Sequence, residues 1–328
     1  MSEAVQLATK VPVTLLTGYL GAGKTTLLNR ILSEDHGKKY AVIVNEFGEE
    51  GIDNDLVIDA DEEIFEMNNG CICCTVRGDL IRILGGLLKR ADQLDGILIE
   101  TTGLADPSPV IQTFFVDDDL RDRLALDSIV TMVDAKHFLD TVDNEHECEE
   151  QVAFADIILL NKTDLVDEDG QSAVEKKIRQ LNQFAKVHKT QKAGIDLNQV
   201  LSRGSFDLKR LIEIEPGFLE ENPDDHEHDD SIVSVSLRTS KPVQPDKFSS
   251  WMREFIRDRG VDVLRTKGIL ALDGQEQRYV FHGVHMVMDS DWGKAWQPEE
   301  KRESRLVFIG RNLNATELEN AFTACTST

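Results

Sequence analysis

The stretch GYLGAGKTT, residues 18–26, most constrains what this chain can fold into. It fits the pattern G-x-x-x-x-G-K-[ST] and lies between an apolar run typical of a buried strand (11–18) and a segment that predicts a helix (24–34). A strand, a glycine-rich turn and a helix in this order bind phosphate, because backbone N–H groups and the helix N-terminus both favour an anion. The sequence therefore predicts a nucleotide site.

Each residue type in this loop has a predicted role. Glycine lets the backbone curl around phosphates without Cβ clashes, and Lys24 is expected to reach the β- and γ-phosphates. Thr25 is the expected Mg²⁺ ligand, through its hydroxyl oxygen. The residues predicted to bind the phosphates are Gly18, Gly21, Ala22, Gly23, Lys24, Thr25 and Thr26.

A second motif, NKTD at 161–164, follows the buried run IILL and matches the N-K-x-D pattern of guanine-binding proteins. The Asp164 carboxylate can accept hydrogen bonds from guanine N1–H and N2–H₂ together, an arrangement that adenine does not offer. Asn161 is expected to face the N7/O6 edge of the purine, and Lys162 to lie against the base and the phosphate loop. The predicted nucleotide is therefore GTP.

A third motif, ILIETTGLADPSP at 97–109, places Glu100 at a strand end and Gly103 three residues later. This spacing resembles the D-x-x-G of P-loop GTPases, with Glu in place of Asp. We expect the Glu100 carboxylate to hold Mg²⁺ through water, and the Gly103 N–H to sense the γ-phosphate. Lys24, Glu100 and Gly103 are thus the predicted catalytic group. No glutamine is evident for orienting the attacking water, which predicts slow turnover.

Hydrophobic patterning predicts two domains. Short apolar runs alternate with amphipathic segments over 11–215, which is typical of an α/β fold with a doubly wound, mostly parallel sheet. Residues 1–10 are expected to form a flexible tail, and 216–230 an acidic linker. Residues 231–328 predict a smaller α+β domain of order β-α-β-β-β-α. Its expected strands are 231–239, 268–274, 278–289 and 304–313, and its expected helices are 245–259 and 314–325, the latter capped by Asn314.

Three of the five cysteines lie close together in NNGCICC, at Cys71, Cys73 and Cys74. Three thiolates can hold Zn²⁺ or Cu⁺, and a three-ligand site leaves one position open, which suits a metal that is handed on. Glu46 and Glu49 are candidates for the fourth zinc ligand or for a Mg²⁺ contact, although an exposed acidic loop explains either one equally well. A redox thiol pair and inert buried thiols are the alternatives for the cysteines.

Net charge limits the partners. The chain carries 36 basic and 60 acidic residues, a formal charge of −24, which repels nucleic acid and anionic membrane surfaces. The N-terminus lacks the zones of a signal peptide, and no apolar run approaches the ~20 residues of a membrane helix. We therefore expect the protein to be cytoplasmic, and thiols stay reduced in the cytoplasm. A homo-oligomer is left open.

The motifs GYLGAGKTT, NEFGE, GCICC, ETTGLADP and NKTD, in this order, closely resemble those of the CobW family of metal-handling GTPases. The resemblance implies a P-loop GTPase domain followed by a CobW C-terminal domain. It also implies zinc, or sometimes cobalt, bound by the C-x-C-C motif and delivered to a client protein under the control of GTP. The histidine-rich tract of some members is reduced here to His226 and His228.

The function predicted from the sequence is therefore a GTP-dependent metallochaperone with Mg²⁺ at the nucleotide. Three alternatives are open: a regulatory GTP-binding switch with a static structural zinc, a thiol redox protein on a GTPase scaffold, and an ATP-dependent kinase. NKTD argues against the kinase.

Overall fold

The computed structural model describes residues 10–34, 37–46, 64–68, 74–201, 206 and 232–327. Two sheets organise this part of the chain. One has seven strands, all parallel, in the order β3-β2-β4-β1-β5-β6-β7, and the other has five antiparallel strands in the order β11-β10-β9-β12-β8. The predicted class, a doubly wound α/β domain followed by a smaller α+β domain, is confirmed.

Near-continuous apolar runs form the central strands of the first sheet because both faces of the sheet are covered. The strands are β1 (Val11–Gly18), β2 (Tyr40–Glu46), β3 (Ile64–Asn68), β4 (Gly96–Glu100), β5 (Leu124–Asp134), β6 (Ile157–Asn161) and β7 (Lys186–Lys189). The helices are α1 (Lys24–Ser33), α2 (Cys74–Leu87), α3 (Ser108–Val116), α4 (Asp118–Arg123), α5 (Phe138–Val142), α6 (His146–Phe154) and α7 (Glu168–Leu181).

The order of the parallel strands gathers the motifs at one edge. β1 lies between β4 and β5, and β6 follows β5, so the carboxyl ends of these four strands are neighbours. Ligands bind at this edge of open α/β sheets. The phosphate loop, Glu100 and the NKTD segment therefore meet, although they are far apart in the sequence.

The second sheet holds β8 (Ile232–Thr239), β9 (Val263–Leu270), β10 (Gln277–Val284), β11 (Val287–Ala295) and β12 (Ser304–Arg311), with α8 (Pro245–Arg259) and α9 (Ala315–Ala324). The Asn314 side chain caps α9 by accepting from the Glu317 N–H at 3.0 Å, as predicted. The expected strand 278–289 is wrong, because the chain turns at residues 285 and 286 and forms two strands. The expected strand 268–274 begins earlier, at Val263, and ends at Leu270.

A charged contact joins the two sheets. Asp156, which precedes β6, accepts hydrogen bonds from the Lys267 ammonium at 2.8 Å and from the Arg265 guanidinium, both on β9. The Arg265 guanidinium also donates to the Phe154 carbonyl. Apolar residues surround these groups in one core that draws on both sheets, with Phe154 and Ile158 on one side and Leu264 and Ile309 on the other.

In the part of the chain that the structure describes, no helix combines the length and the apolar character needed to cross a bilayer.

Candidate functional site

The phosphate loop connects β1 to α1 and has a backbone that glycine favours. Gly18, Gly21 and Gly23 have φ of +136°, +71° and +112°. These angles lie in the left-handed region, which side chains with a Cβ rarely adopt. Gly23 is also the residue directly before the first turn of α1, where unpaired N–H groups and the helix dipole favour an anion.

Close packing under the loop adds a second requirement for glycine. A Cβ on Gly23 would lie 2.5 Å from the Asn161 amide nitrogen, and a Cβ on Gly18 would overlap the Met132 carbonyl oxygen. The loop is therefore seated directly on the ends of β5 and β6. The pattern of glycines reflects contacts with these strands as well as the space that phosphates need.

Lys24 lies in the first turn of α1 and is buried, with 8 % of its surface exposed. Its ammonium donates to the Gly18 carbonyl at 2.7 Å and to the Tyr19 carbonyl at 3.4 Å, so the charge is held inside the curve of the loop. This is the position from which it can act on a bound phosphate. Thr25, half-buried, and Thr26, exposed, follow it.

Asn161, the last residue of β6, joins three segments of the site and is 2 % exposed. Its amide nitrogen donates to the Ala22 carbonyl at 3.0 Å, and its amide oxygen accepts from the Ala193 N–H at 3.0 Å and the Thr190 hydroxyl at 3.2 Å. The phosphate loop, the NKTD segment and the loop at 190–194 are thereby held together. The expected contact of Asn161 with the purine stays a prediction, because its amide atoms bond to protein here.

Lys162 follows with φ of +61°, and its ammonium contacts the Asp134 carboxylate at 2.7 Å. Asp134 ends β5 and also accepts from the Lys136 N–H at 2.9 Å and pairs with the His137 ring at 3.0 Å. Partial burial acts to raise the pKa of Asp134, but the hydrogen bonds from Lys162 and His137 outweigh it and lower this pKa. The carboxylate is therefore charged at neutral pH and fixes the lysine. Asp164 is exposed, in the short 3₁₀ helix Thr163–Leu165.

Sequence reasoning missed the loop that follows β7. Lys192 and Ala193 have φ of +50° and +54°, and α1 supports them through Arg30, whose guanidinium donates to the Ala193 carbonyl and, at 3.1 Å, to the Ile195 carbonyl. Its position in the fold could have identified this loop, since it follows a strand at the same end of the sheet as the other motifs. Asp134 was also missed. The sequence predicted the apolar strand that Asp134 ends and a role for Lys162, but it did not indicate that these two side chains pair.

Glu100 ends β4, is buried, and lies beside Leu16 of β1 and Val44 of β2. Gly103 lies against Leu20, the third residue of the phosphate loop, since a Cβ there would be 2.7 Å from the Leu20 nitrogen. The segment that follows Glu100 thus touches the phosphate loop directly. Its position fits the predicted response to the γ-phosphate.

The predicted metal ligands lie largely outside the described residues, namely Cys71, Cys73 and Glu49. Cys74 begins α2, and Glu46 is the last residue of β2, paired with Asn68 at the end of β3. Within the described residues, no group of three or more His, Cys, Asp or Glu side chains is arranged to hold a metal ion.

The two cysteines outside the cluster, Cys148 and Cys325, are buried free thiols. Burial raises the pKa of both thiols, to about 12 for Cys148, where Glu149 and Glu145 add to the effect. They are therefore poor thiolate donors at neutral pH.

Comparison with known families gives two matches. Residues 12–189, more than half of the chain, match the family described as CobW/HypB/UreG, nucleotide-binding domain. Residues 232–326 match the family described as Cobalamin synthesis protein cobW C-terminal domain.

Similar individual proteins cover nearly the whole chain. The Zinc chaperone YjiA of Escherichia coli is 38% identical, and the match covers 95% of this chain and 98% of that protein. The Zinc-regulated GTPase metalloprotein activator 1 of Schizosaccharomyces pombe is 32% identical, covering 93% of this chain and 83% of that protein. The crystal structure of Zn(II)-bound YjiA GTPase from E. coli superposes with a TM-score of 0.80 at 34% identity, over 97% of this chain and 100% of that one.

Proposed function

The chain belongs to the CobW/HypB/UreG family of nucleotide-binding proteins, and we propose that it is a cytoplasmic GTPase that binds zinc and transfers it to a client protein. The names of its relatives, a zinc chaperone and a zinc-regulated GTPase metalloprotein activator, support this role. In this proposal the GTPase domain spans 11–215, the linker 216–230 and the C-terminal domain 231–328.

One observation supports the nucleotide site above all others. Asn161 binds Ala22 of the phosphate loop and Ala193 of the 190–194 loop through one buried amide. One buried side chain therefore connects the segments proposed to bind the phosphates and the base. Lys24, at the centre of the phosphate loop, supplies the positive charge that stabilises negative charge developing on the β- and γ-phosphates.

Guanine specificity is assigned to Asp164, whose exposed carboxylate lies next to the anchored Asn161 and Lys162. Replacing Asp164 by Asn turns one of the two acceptor oxygens into an NH₂ donor, so that guanine N1–H and N2–H₂ can no longer both donate to this side chain. We expect Asp164→Asn to lose most of its preference for GTP over ATP, measured as the ratio of the two kcat/KM values. An unchanged ratio would contradict the assignment, whereas faster turnover of ATP than of GTP by the unaltered protein would favour the kinase alternative.

The residues near the phosphate loop fit Mg²⁺, which prefers oxygen ligands. The Thr25 hydroxyl, in the first turn of α1, and the Glu100 carboxylate, at the end of β4, would hold it. When bound, the ion neutralises charge on the phosphate oxygens. We assign the sensing of the γ-phosphate to the backbone N–H of Gly103, and the closeness of Gly103 to Leu20 of the phosphate loop supports this assignment.

Zinc is the cargo, assigned to Cys71, Cys73 and Cys74, with Glu46 or Glu49 as the fourth ligand; Co²⁺ is the alternative metal. The parallel sheet supports this placement, because β3 ends at Asn68 and α2 begins at Cys74. β3 is three strands from β1, so this end of the sheet is about 14 Å from the phosphate loop. A conformational change caused by the nucleotide therefore has to extend over only a short distance to reach the proposed zinc site.

We propose that Mg²⁺-GTP orders the loops at 45–53 and 100–106 and so alters the geometry of the three thiolates. A tenfold change in zinc affinity requires only ~1.4 kcal/mol of coupling, and zinc must then change nucleotide affinity by the same factor. Measuring both directions provides an internal check.

The testing experiment is a zinc titration against a chromogenic chelator, with Mg²⁺-GDP and with a non-hydrolysable Mg²⁺-GTP analogue. It compares the unaltered protein, a triple variant with serine at 71, 73 and 74, and the matched thiol control Cys325→Ser. We expect a nucleotide-dependent shift that the triple variant loses and the control keeps. Tight zinc binding that ignores the nucleotide would instead favour a regulatory GTP switch with a static zinc. A disulfide in mild oxidant, with little bound metal, would favour the redox alternative.

A further inference from the structure

The segment that follows Glu100 rests on α6 through one side chain, Gln151, which is 1 % exposed. Its amide nitrogen donates to the Gly103 carbonyl at 3.1 Å and to the Ala105 carbonyl at 3.1 Å. The two donors of one amide therefore fix two carbonyls of the segment at residues 101–107, which we call the glutamate loop.

Gln151 is itself firmly placed. Its main-chain carbonyl accepts from the Thr131 hydroxyl at 2.7 Å, which ties this turn of α6 to β5. Since β5 lies beside β1 in the sheet, the turn is fixed with respect to the phosphate loop. The glutamate loop is thus held between two neighbours: α6 on one side and Leu20, against Gly103, on the other.

The amide oxygen of Gln151 has no hydrogen-bond partner among the described residues. A buried acceptor without a partner is unfavourable, so stability alone does not explain a glutamine here. The side chain borders a cavity of about 290 Å³ that Tyr19, Leu20 and His137 also line.

We infer that Gln151 is a positioning residue for GTP hydrolysis: it holds the glutamate loop so that Gly103 meets the γ-phosphate. The inference rests on the proposed assignment of Gly103 to that phosphate. Gln151 acts through the loop and does not need to contact the nucleotide. The contact made by Gln151 is therefore expected to matter more for the GTP-bound protein than for the GDP-bound protein.

Gln151→Met removes both donors and keeps the length of the side chain. We expect kcat in single-turnover hydrolysis to fall about tenfold, and the affinity for a non-hydrolysable GTP analogue to fall by a similar factor. The affinity for GDP should stay within about twofold of the unaltered protein, because the glutamate loop is not assigned to the α- or β-phosphate. Equal losses for GDP and the analogue would reduce Gln151 to a general structural role and overturn the inference.

Gln171 supplies a matched control. Its amide nitrogen also donates to two backbone carbonyls, those of Thr163 at 2.9 Å and Val166 at 3.1 Å, but at the base end of the site. Gln171→Met should weaken the binding of GDP and of the analogue by the same factor, so that the ratio of the two affinities stays that of the unaltered protein. A selective loss of the analogue like that of Gln151→Met would show that any lost carbonyl contact has this effect, against the inference.

Gln151→Glu adds a pH dependence of kcat that a purely structural role of Gln151 does not predict. It also provides a second variant if Gln151→Met does not fold. An ionised carboxylate repels the two carbonyls, whereas a protonated carboxyl can donate to one of them. We expect the kcat of Gln151→Glu, relative to the unaltered protein, to rise as pH falls and the introduced carboxyl gains its proton. A ratio that stays flat with pH would count against the inference.

Gly103→Ala separates this inference from the proposed function, because it alters the loop and leaves the Gln151 side chain in place. If Gly103→Ala leaves hydrolysis and the analogue-to-GDP affinity ratio unchanged, the assignment of the loop to the γ-phosphate fails. If Gly103→Ala disturbs both while Gln151→Met behaves like the unaltered protein, only the role of Gln151 fails.

Discussion

Gly23 combines a left-handed backbone with a close contact to Asn161 under the phosphate loop, and its replacement gives the first prediction. Gly23→Ala must accommodate φ of +112° and a Cβ only 2.5 Å from the Asn161 amide nitrogen. We expect the Kd for GDP to rise more than about tenfold, which corresponds to ~1.4 kcal/mol. Titration of a fluorescent GDP derivative measures it.

Gly274 is the control for Gly23, since its φ is +73° and a Cβ there would meet nothing within 4 Å. Gly274→Ala carries the backbone cost alone, about 1 kcal/mol of unfolding free energy, and should leave the Kd for GDP unchanged. Similar Kd values for the two variants would show that contact with Asn161 is unimportant.

Asp134 carries the second prediction, because its carboxylate fixes the Lys162 ammonium at 2.7 Å. Asp134→Asn leaves that ammonium without its charged partner, and we expect the Kd for GDP to rise roughly three- to tenfold. Isothermal titration calorimetry checks this. Asp143→Asn, which removes an exposed partner of Lys177, should bind GDP normally; equal effects of the two substitutions would point to a general loss of acidic charge.

Single site residues were predictable where the residues that act together are close to one another in the sequence. The spacing of Gly18, Gly23 and Lys24 was sufficient to place them in one loop, and the structure brings them together. By contrast, the Asn161 amide bonds to Ala22, which is 139 positions away, and the Gln151 amide reaches Gly103, 48 positions away. No pattern within a short window encodes such contacts, because the sheet order creates them.

At the scale of elements, the carboxyl end of α6 depends on Asn182. This amide, 1 % exposed, donates to the carbonyls of Val152, Ala153 and Ala155 at the end of the helix, and the Val152 carbonyl also accepts from the Ala155 N–H at 3.2 Å. Asn182→Ala removes this buried donor from all three carbonyls, and we expect a loss of about 3 kcal/mol of unfolding free energy in urea. Asn144→Ala, at an exposed position, should change it by less than ~0.5 kcal/mol. A loss below 1 kcal/mol for Asn182→Ala would mean that water replaces the amide.

The elements that the sequence did not predict have physical reasons in common. β7 reads KVHK and is only half-covered, so it lacks the apolar run of a central strand. β10 and β11 read as one strand because their two-residue turn contains neither Gly nor Asn; His285 adopts φ of +51° there instead. The buried strands and the amphipathic α8 were predictable because burial imposes a periodicity on them.

At the scale of the whole molecule, Asp156 is the carboxylate on which the contact between the two sheets depends. Burial acts to raise its pKa, but Arg265 and Lys267 outweigh this effect and lower the pKa. Asp156→Asn leaves two buried cations facing a neutral amide, and we expect a loss of about 3–5 kcal/mol of unfolding free energy at pH 7. Urea denaturation measures it. Asp258→Asn, which removes a fully exposed partner of Arg257, should have no measurable effect.

The pH dependence of this contact follows from the sign of the shift. A lowered carboxyl pKa contributes stability above the unfolded value, near 3.8, and loses it as pH falls through the folded pKa. The deficit of Asp156→Asn should therefore shrink as the pH is lowered below about 3.8, because the unaltered protein then protonates the same group. A deficit that stays constant with pH would show that packing, and not charge, holds the interface.

The position of β1 in its sheet also governs how the chain can be made. Both neighbours of β1, the strands β4 and β5, are encoded after it, and β5 ends 116 residues after β1 (134 − 18), at Asp134. At ribosomal speeds this delay is about 6–23 s. During synthesis, therefore, the apolar β1 is made before either of its neighbours, and it stays without its final surroundings until both have followed.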